Sequence, residues 1–309
     1  MNISPDYLIE RKRSKLQLAR WKIISLALVL VVIFISGNKM LGNKNISFSS
    51  KDINIRGDYI ANILLEEIIY DDLSRVRKLE KIAEDKNIKA VIIHINSPGG
   101  SVVGSEMLYN SFRKIAKNKP VVVVMDSLAA SRGYLVALGA DYIVAHNGTI
   151  TGSIGVLMEM AEITELAEKI GITFNNFKSN TLKANPGFTE KLTPEAEKAV
   201  MDNVYDVYDY FTELVAKRRN LDLDFVRKIA DGRIYSAKLA MQYKLIDEIG
   251  NEDSAIKWLQ EKKDIAKNLK VIEIKLNPRD KIIDMLFDDL SSSIRGLFSS
   301  KFLGIKSIL

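Results

Sequence analysis

Two segments of the sequence carry residue types able to act on an acyl group: Asp126-Ser127-Leu128-Ala129-Ala130-Ser131 and Phe177-Lys178-Ser179-Asn180-Thr181-Leu182-Lys183. The first follows a β-rich run, Val121-Val122-Val123-Val124-Met125, and leads into a helix-like stretch, Tyr134-Leu135-Val136-Ala137-Leu138. A serine at such a strand-to-helix turn offers its hydroxyl to a substrate carbonyl, with a helix N-terminus behind it to favour developing negative charge. The second segment offers lysines in a sparsely charged stretch. A lysine in apolar surroundings can be neutral, because burial disfavours the ammonium, and a neutral amine beside a serine hydroxyl can act as its general base. Each residue alone has a plainer reading: a serine after a strand is commonly a helix N-cap, and a loop lysine is commonly solvated.

The alternatives are restricted by composition. There is no cysteine, which removes thiol catalysis, thiolate metal sites and disulfides. The two histidines, His94 and His146, sit in apolar strand-like runs. A Ser-His-Asp triad would have to use one of them, and a structural role fits both better. No HExxH spacing supports a zinc site, and no cofactor is expected. The net charge of +6 is concentrated near the N-terminus. No aromatic-basic patch or glycine-rich phosphate loop accompanies it, so a nucleic-acid partner is not expected.

Positioning such a site requires an α/β framework. Leu73, Val76, Leu79, Ile82 and Ala83 form a helical stripe, and Ala90–Ile95 is a continuous apolar run suited to a strand buried on both faces. Asn96-Ser97-Pro98-Gly99-Gly100 is a turn, Val103–Lys117 a helix and Val121–Met125 a second buried strand. Strands over Tyr142–Ala145 and Ile150–Val156 follow, then a helix over Ile163–Ile170 ending at Gly171. Thr193-Pro194-Glu195 is a helix start, with proline at the first helical position, and the helix is expected to reach Arg219. On it Tyr205, Tyr208, Phe211 and Leu214 form an apolar stripe expected in the core. Ser236 and Asn251 open two more helices. The alternation implies a largely parallel sheet.

The N-terminal end points to a membrane. Residues Ile23 to Ile35 are apolar apart from Ser25, preceded by Arg11, Lys12, Arg13, Lys15, Arg20 and Lys22. The stronger positive flank precedes the run, so the N-terminus is expected in the cytoplasm and the remainder across the membrane. A cleaved signal peptide is the competing reading. The expected organisation is a basic N-terminus over 1–22, an anchor over 23–41, a linker over 42–50, a catalytic domain over 51–275 and an amphipathic tail over 276–309.

Several segments, in order, resemble a known family, the bacterial signal peptide peptidase A group of membrane-bound serine proteases. They are Ile92-Ile93-His94-Ile95-Asn96-Ser97-Pro98-Gly99-Gly100-Ser101, the Asp126–Ser131 stretch, Thr151-Gly152-Ser153-Ile154-Gly155-Val156, Lys178-Ser179 with Lys183, Gly232-Arg233-Ile234-Tyr235-Ser236 and Leu245-Ile246-Asp247-Glu248-Ile249-Gly250. The resemblance implies a Clp protease/crotonase-like fold of repeated β-β-α units, preceded by one transmembrane helix. It implies Ser131 as nucleophile, Lys183 as general base and Ser153 as the group that orients the amine. Amides of Gly99 or Gly100 and of Arg132 become candidates for the oxyanion hole. It further implies remnant signal peptides as substrates, a membrane-bound location with the catalytic domain outside the cytoplasm, and a homo-oligomeric ring, with adjacent subunits completing each site. The family usually has glycine where this chain has Arg132, and glycine and aspartate where it has Asn180 and Ala184. Two rival functions remain: a crotonase-like acyl-CoA hydratase or isomerase, and a catalytically inactive membrane scaffold of the same fold.

Overall fold

The structure, a computed structural model, describes residues 57–276 together with Trp21 and Lys22. The anchor, the linker and almost all of the expected C-terminal tail lie outside the described residues. Among those described, no helix is long and apolar enough to cross a membrane.

The chain begins with β1 (Tyr59–Glu66), α1 (Leu73–Glu84), β2 (Ile88–Ser97), α2 (Val102–Ala116), β3 (Val121–Ala130) and α3 (Arg132–Ala137). Then come β4 (Tyr142–Ala145), β5 (Ile150–Gly152), α4 (Thr164–Lys169), α5 (Pro194–Arg219), α6 (Leu223–Ile229) and β6 (Ile234–Ser236). The last elements are α7 (Ala237–Gln242), β7 (Glu248–Ile249), α8 (Glu252–Lys262) and β8 (Lys270–Glu273). The sheet runs β6-β5-β3-β2-β1-β8, with β4 joined to β3 and β7. Every pairing is parallel except β5 with β6. The α/β class and the largely parallel sheet therefore agree with the alternation of helical and strand patterns.

Side-chain alternation divides the sheet between two helical layers. Ile60, Ala90, Ile92, Val122, Val124 and Val144 are buried together with Ala255 and Leu259 of α8. Their strand neighbours Ala61, Ile63, Val91, Ile93, Val121 and Val123 point to the opposite face and are equally buried. α1 and α2 pack on each other and bury Leu79, Ile82, Leu108, Phe112 and Ile115.

β3 is the element that the sequence reading cut short. Val122–Met125 pairs with β4, while Leu128–Ala130 pairs with β5. The strand thus changes neighbour midway and carries the chain to Ser131. On its other side the β2 register shifts between Ile95 and Ser97, and the Asn96 side chain accepts a hydrogen bond from the Leu128 amide (3.2 Å). β5 in turn is shorter than expected, ending at Gly152, because Ser153 adopts a left-handed φ of 49° that a strand cannot continue. α4 is likewise trimmed to Thr164–Lys169, and Gly171 follows it at φ 78°.

Candidate active site

Ser131 sits at the junction of β3 and α3 with φ 52° and ψ −120°. A non-glycine residue there is strained, and such strain persists only where the surroundings fix it. Two backbone bonds do so: the Ser131 amide donates to the Gly152 carbonyl (2.8 Å), and the Ser131 carbonyl accepts from the Leu135 amide (3.1 Å). The side chain makes no capping hydrogen bond. The plainer N-cap reading of this serine therefore does not hold. All six residues of α3 are buried, which leaves the helix little freedom to relax the turn.

The same backbone contact brings Ser153 alongside. Ala130 pairs with Gly152, so Ser131 and Ser153 leave adjacent strands together. The Ser153 amide donates to the Arg233 carbonyl (2.8 Å), which ties the segment to the start of β6.

The glycine turn approaches from β2. A Cβ on Gly99 would lie 2.8 Å from the Arg132 amide nitrogen, and one on Gly100 would lie 2.1 Å from the Ile69 carbonyl oxygen. Only glycine allows both approaches. The Gly99 amide is already used, donating to Ser97 Oγ (3.1 Å). The Gly100 amide meets no acceptor among the described residues. The Arg132 amide heads α3, where helix geometry supplies no carbonyl partner. Of the two candidate glycines, Gly100 is the one with a free donor.

Sequence reasoning did not single out Ser97, which anchors this corner. It is fully buried, donates from Oγ to the Glu67 carbonyl (2.5 Å) and accepts from Gly99. Gly133 completes the fit, since a Cβ there would meet the Ser97 carbonyl at 2.7 Å. Its place before Pro98-Gly99-Gly100 marks a turn, but its burial and its hydrogen bonds follow from the fold and not from a sequence pattern.

Lys183 is placed differently. It lies in an exposed turn in which its amide donates to the Asn180 carbonyl (3.0 Å). Its ammonium has no hydrogen bond or ion pair among the described residues, and none joins it to Ser131 or Ser153. Lys178, by contrast, is largely buried and paired with Glu190. The arm of residues 154–192 that carries Lys183 leaves much apolar surface uncovered: Phe177 is 98 % and Leu157 84 % exposed, with Met158, Leu166 and Ile170 also exposed. Within one chain the structure thus gathers Ser131, Ser153, Gly100 and Arg132, while Lys183 is exposed and bonded to none of them.

Neither histidine is a free base. His94 Nδ1 lies 3.0 Å from Asp126 Oδ1 and Nε2 lies 2.8 Å from Glu252 Oε2, so both ring nitrogens are engaged. His146 is half-exposed, 3.6 Å from the same Asp126 oxygen. Among the described residues no cluster of His, Asp or Glu could hold a metal ion.

Comparison with known proteins identifies the family. The profile of peptidase family S49 matches residues 113–266, and that of the Clp protease family matches residues 59–145. A protein of Methanocaldococcus jannaschii, named as a protease, is 34 % identical over 269 residues, covering 82 % of this chain and 86 % of its own length. A protein of Enterococcus faecium named as a signal peptide peptidase SppA is 37 % identical over 207 residues, or 67 % of this chain and 60 % of its own. Protease 4 of Haemophilus influenzae is 35 % identical over 205 residues, but the match spans only 33 % of that longer protein. With a relative this similar matched along most of its length, the chain belongs to peptidase family S49, the signal peptide peptidase A family.

Proposed function

We propose that the protein is a membrane-anchored serine endopeptidase in which Ser131 attacks a peptide carbonyl and Lys183 accepts its proton. The observation that carries the proposal is the Ser131 turn, strained at φ 52° and lacking a capping bond, with free amides of Gly100 and Arg132 beside it. A hydroxyl held on such a turn is open to a substrate, and two convergent N–H groups can stabilise the oxyanion of the tetrahedral intermediate. Attack transfers the acyl group to Ser131 Oγ and the hydroxyl proton to Lys183 Nζ, which returns it to the leaving amine. A water deprotonated by the same amine then releases the acid. Ser153 orients the ammonium without taking its proton.

The lysine is supplied by a neighbouring copy of the chain. Lys183 is exposed within its own chain and rides on an arm whose apolar residues lack cover, as expected of a segment that packs on an adjacent subunit. Such packing would also give the amine the apolar surroundings a neutral base needs. The result is a homo-oligomer, in our reading a ring, anchored by residues 23–41 with its catalytic domains outside the cytoplasm. The substrates are apolar peptides, remnant signal peptides among them, as the name of the Enterococcus faecium relative suggests.

A fluorophosphonate probe tests the nucleophile directly. The full-length protein should be labelled on Ser131, and Ser131→Ala should lose both the label and peptide hydrolysis. A crotonase-like hydratase or an inactive scaffold would not be labelled, and persistent hydrolysis in Ser131→Ala would overturn the assignment.

A further inference from the structure

The arm of residues 154–192 and the first turns of α5 enclose a cavity of about 320 Å³. The stretch that leaves Ser153 forms one wall, the stretch that leaves Lys183 a second, and Val200 and Met201 of α5 a third. The first two walls are tied together, because the Ile163 amide donates to the Phe188 carbonyl (3.0 Å). Most of the lining is apolar, with Met160 and Leu192 facing the α5 pair. The cavity is open to solvent, since Leu192 is 52 % and Met160 42 % exposed. Methionine is unbranched and polarizable, so such a lining adapts to apolar ligands of irregular shape. Leu157, Leu166, Ile170 and Phe177, exposed residues of the same arm, do not line it; of that exposed set only Met158 does. Subunit packing and ligand binding can therefore use different side chains of the arm.

The charged part of the lining has one sign. Glu162, Glu190 and Glu197 contribute to it, and among the described residues no lysine, arginine or histidine does. Glu190 is paired with Lys178. Glu162 accepts hydrogen bonds from the Thr164 amide and hydroxyl, and neither it nor Glu197 is in an ion pair among the described residues. Two carboxylates without a counter-ion beside an apolar cavity, in a chain of net charge +6, complement a ligand that is apolar along its length and cationic at one end. A signal peptide has that composition, a positively charged end followed by an apolar run. We propose that this cavity binds an apolar peptide segment and that Glu162 and Glu197 bind the lysine or arginine flanking it, so that the enzyme prefers apolar peptides that keep a basic flank. The proposal rests on the peptidase reading above for the nature of its ligand.

The test compares two peptides that share one apolar run, flanked in one by lysines and in the other by glutamines. Binding is measured by fluorescence anisotropy on the full-length Ser131→Ala protein in a nonionic detergent. The lysine-flanked peptide should bind about tenfold more tightly, as charge-assisted contacts to two carboxylates allow. Adding Glu162→Gln and Glu197→Gln should bring the ratio to about one. Both glutamates are exposed, so these exchanges leave the core untouched. Met201→Ser should weaken both peptides several-fold and preserve their ratio, with folding monitored by circular dichroism; if that variant does not fold, the glutamine pair decides alone. Equal affinities of the two peptides, a preference that survives both glutamine substitutions, or undiminished binding in a folded Met201→Ser protein overturn the proposal. Fluorophosphonate labelling of the wild type judges the peptidase reading separately. Labelling with equal affinities removes only the role of the cavity, while a lysine preference without labelling supports the peptide site and removes the serine mechanism.

Discussion

At the scale of single residues, the site depends on backbone positions that tolerate no side chain. A methyl group at Gly100 would lie 2.1 Å from the Ile69 carbonyl oxygen, an approach that backbone atoms cannot yield to without moving the turn. Gly100→Ala should lower stability by about 1–3 kcal/mol in urea unfolding and reduce kcat/KM further, because the displaced amide leaves the oxyanion corner. Unchanged turnover would exclude Gly100 as a donor. His94 gives a second prediction. Its hydrogen bond to Asp126 raises its pKa above 6.5, helped by Glu252 and opposed by burial. A neutral imidazole has one N–H, so only the charged ring satisfies both carboxylates. The stabilisation is therefore complete below about pH 6.5 and is lost as the pH rises through the raised folded value. The stability difference between wild type and His94→Gln should be largest in mild acid and shrink in alkali; a gap that widens with pH would contradict this. The roles of these residues differed in legibility. His94 was readable as structural from its apolar run. The free amide of Gly100, as against the occupied one of Gly99, depends on the buried hydroxyl of Ser97, which no pattern in the sequence reveals.

At the scale of elements, local signals located those that local chemistry determines. Thr193 caps α5 through a hydrogen bond from the Ala196 amide (3.2 Å), and the helix ends at Arg219 as its pattern predicts. Thr193→Ala should cost about 1 kcal/mol, seen as a fall of roughly 2–4 °C in Tm. No change in Tm would mean the cap is fully replaced by water. β3 was less legible, because its last residues, Ala129 and Ala130, are held by pairing with β5 and not by their own propensity. The apolar stripe of α5 was legible only in part. Phe211 and Leu214 are buried as expected, but Tyr205 is 57 % exposed. Helical periodicity identifies an apolar face without saying whether the cover comes from the same chain.

At the scale of the whole molecule, that distinction becomes the central claim. The arm carrying Lys183 leaves apolar side chains uncovered, while Ser131, Ser153 and the amides proposed for the oxyanion hole come together within a single chain. A dyad divided between subunits makes a definite prediction for mixed oligomers. Ser131→Ala and Lys183→Ala proteins should each be inactive alone, with losses of several orders of magnitude. Mixed in equal amounts under conditions that allow subunits to exchange, they should regain about a quarter of wild-type peptide hydrolysis, the fraction of shared sites that receive both intact residues in a closed oligomer. A mixture that stays inactive despite exchange, or a Lys183→Ala protein that turns over near the wild-type rate by itself, would contradict the account.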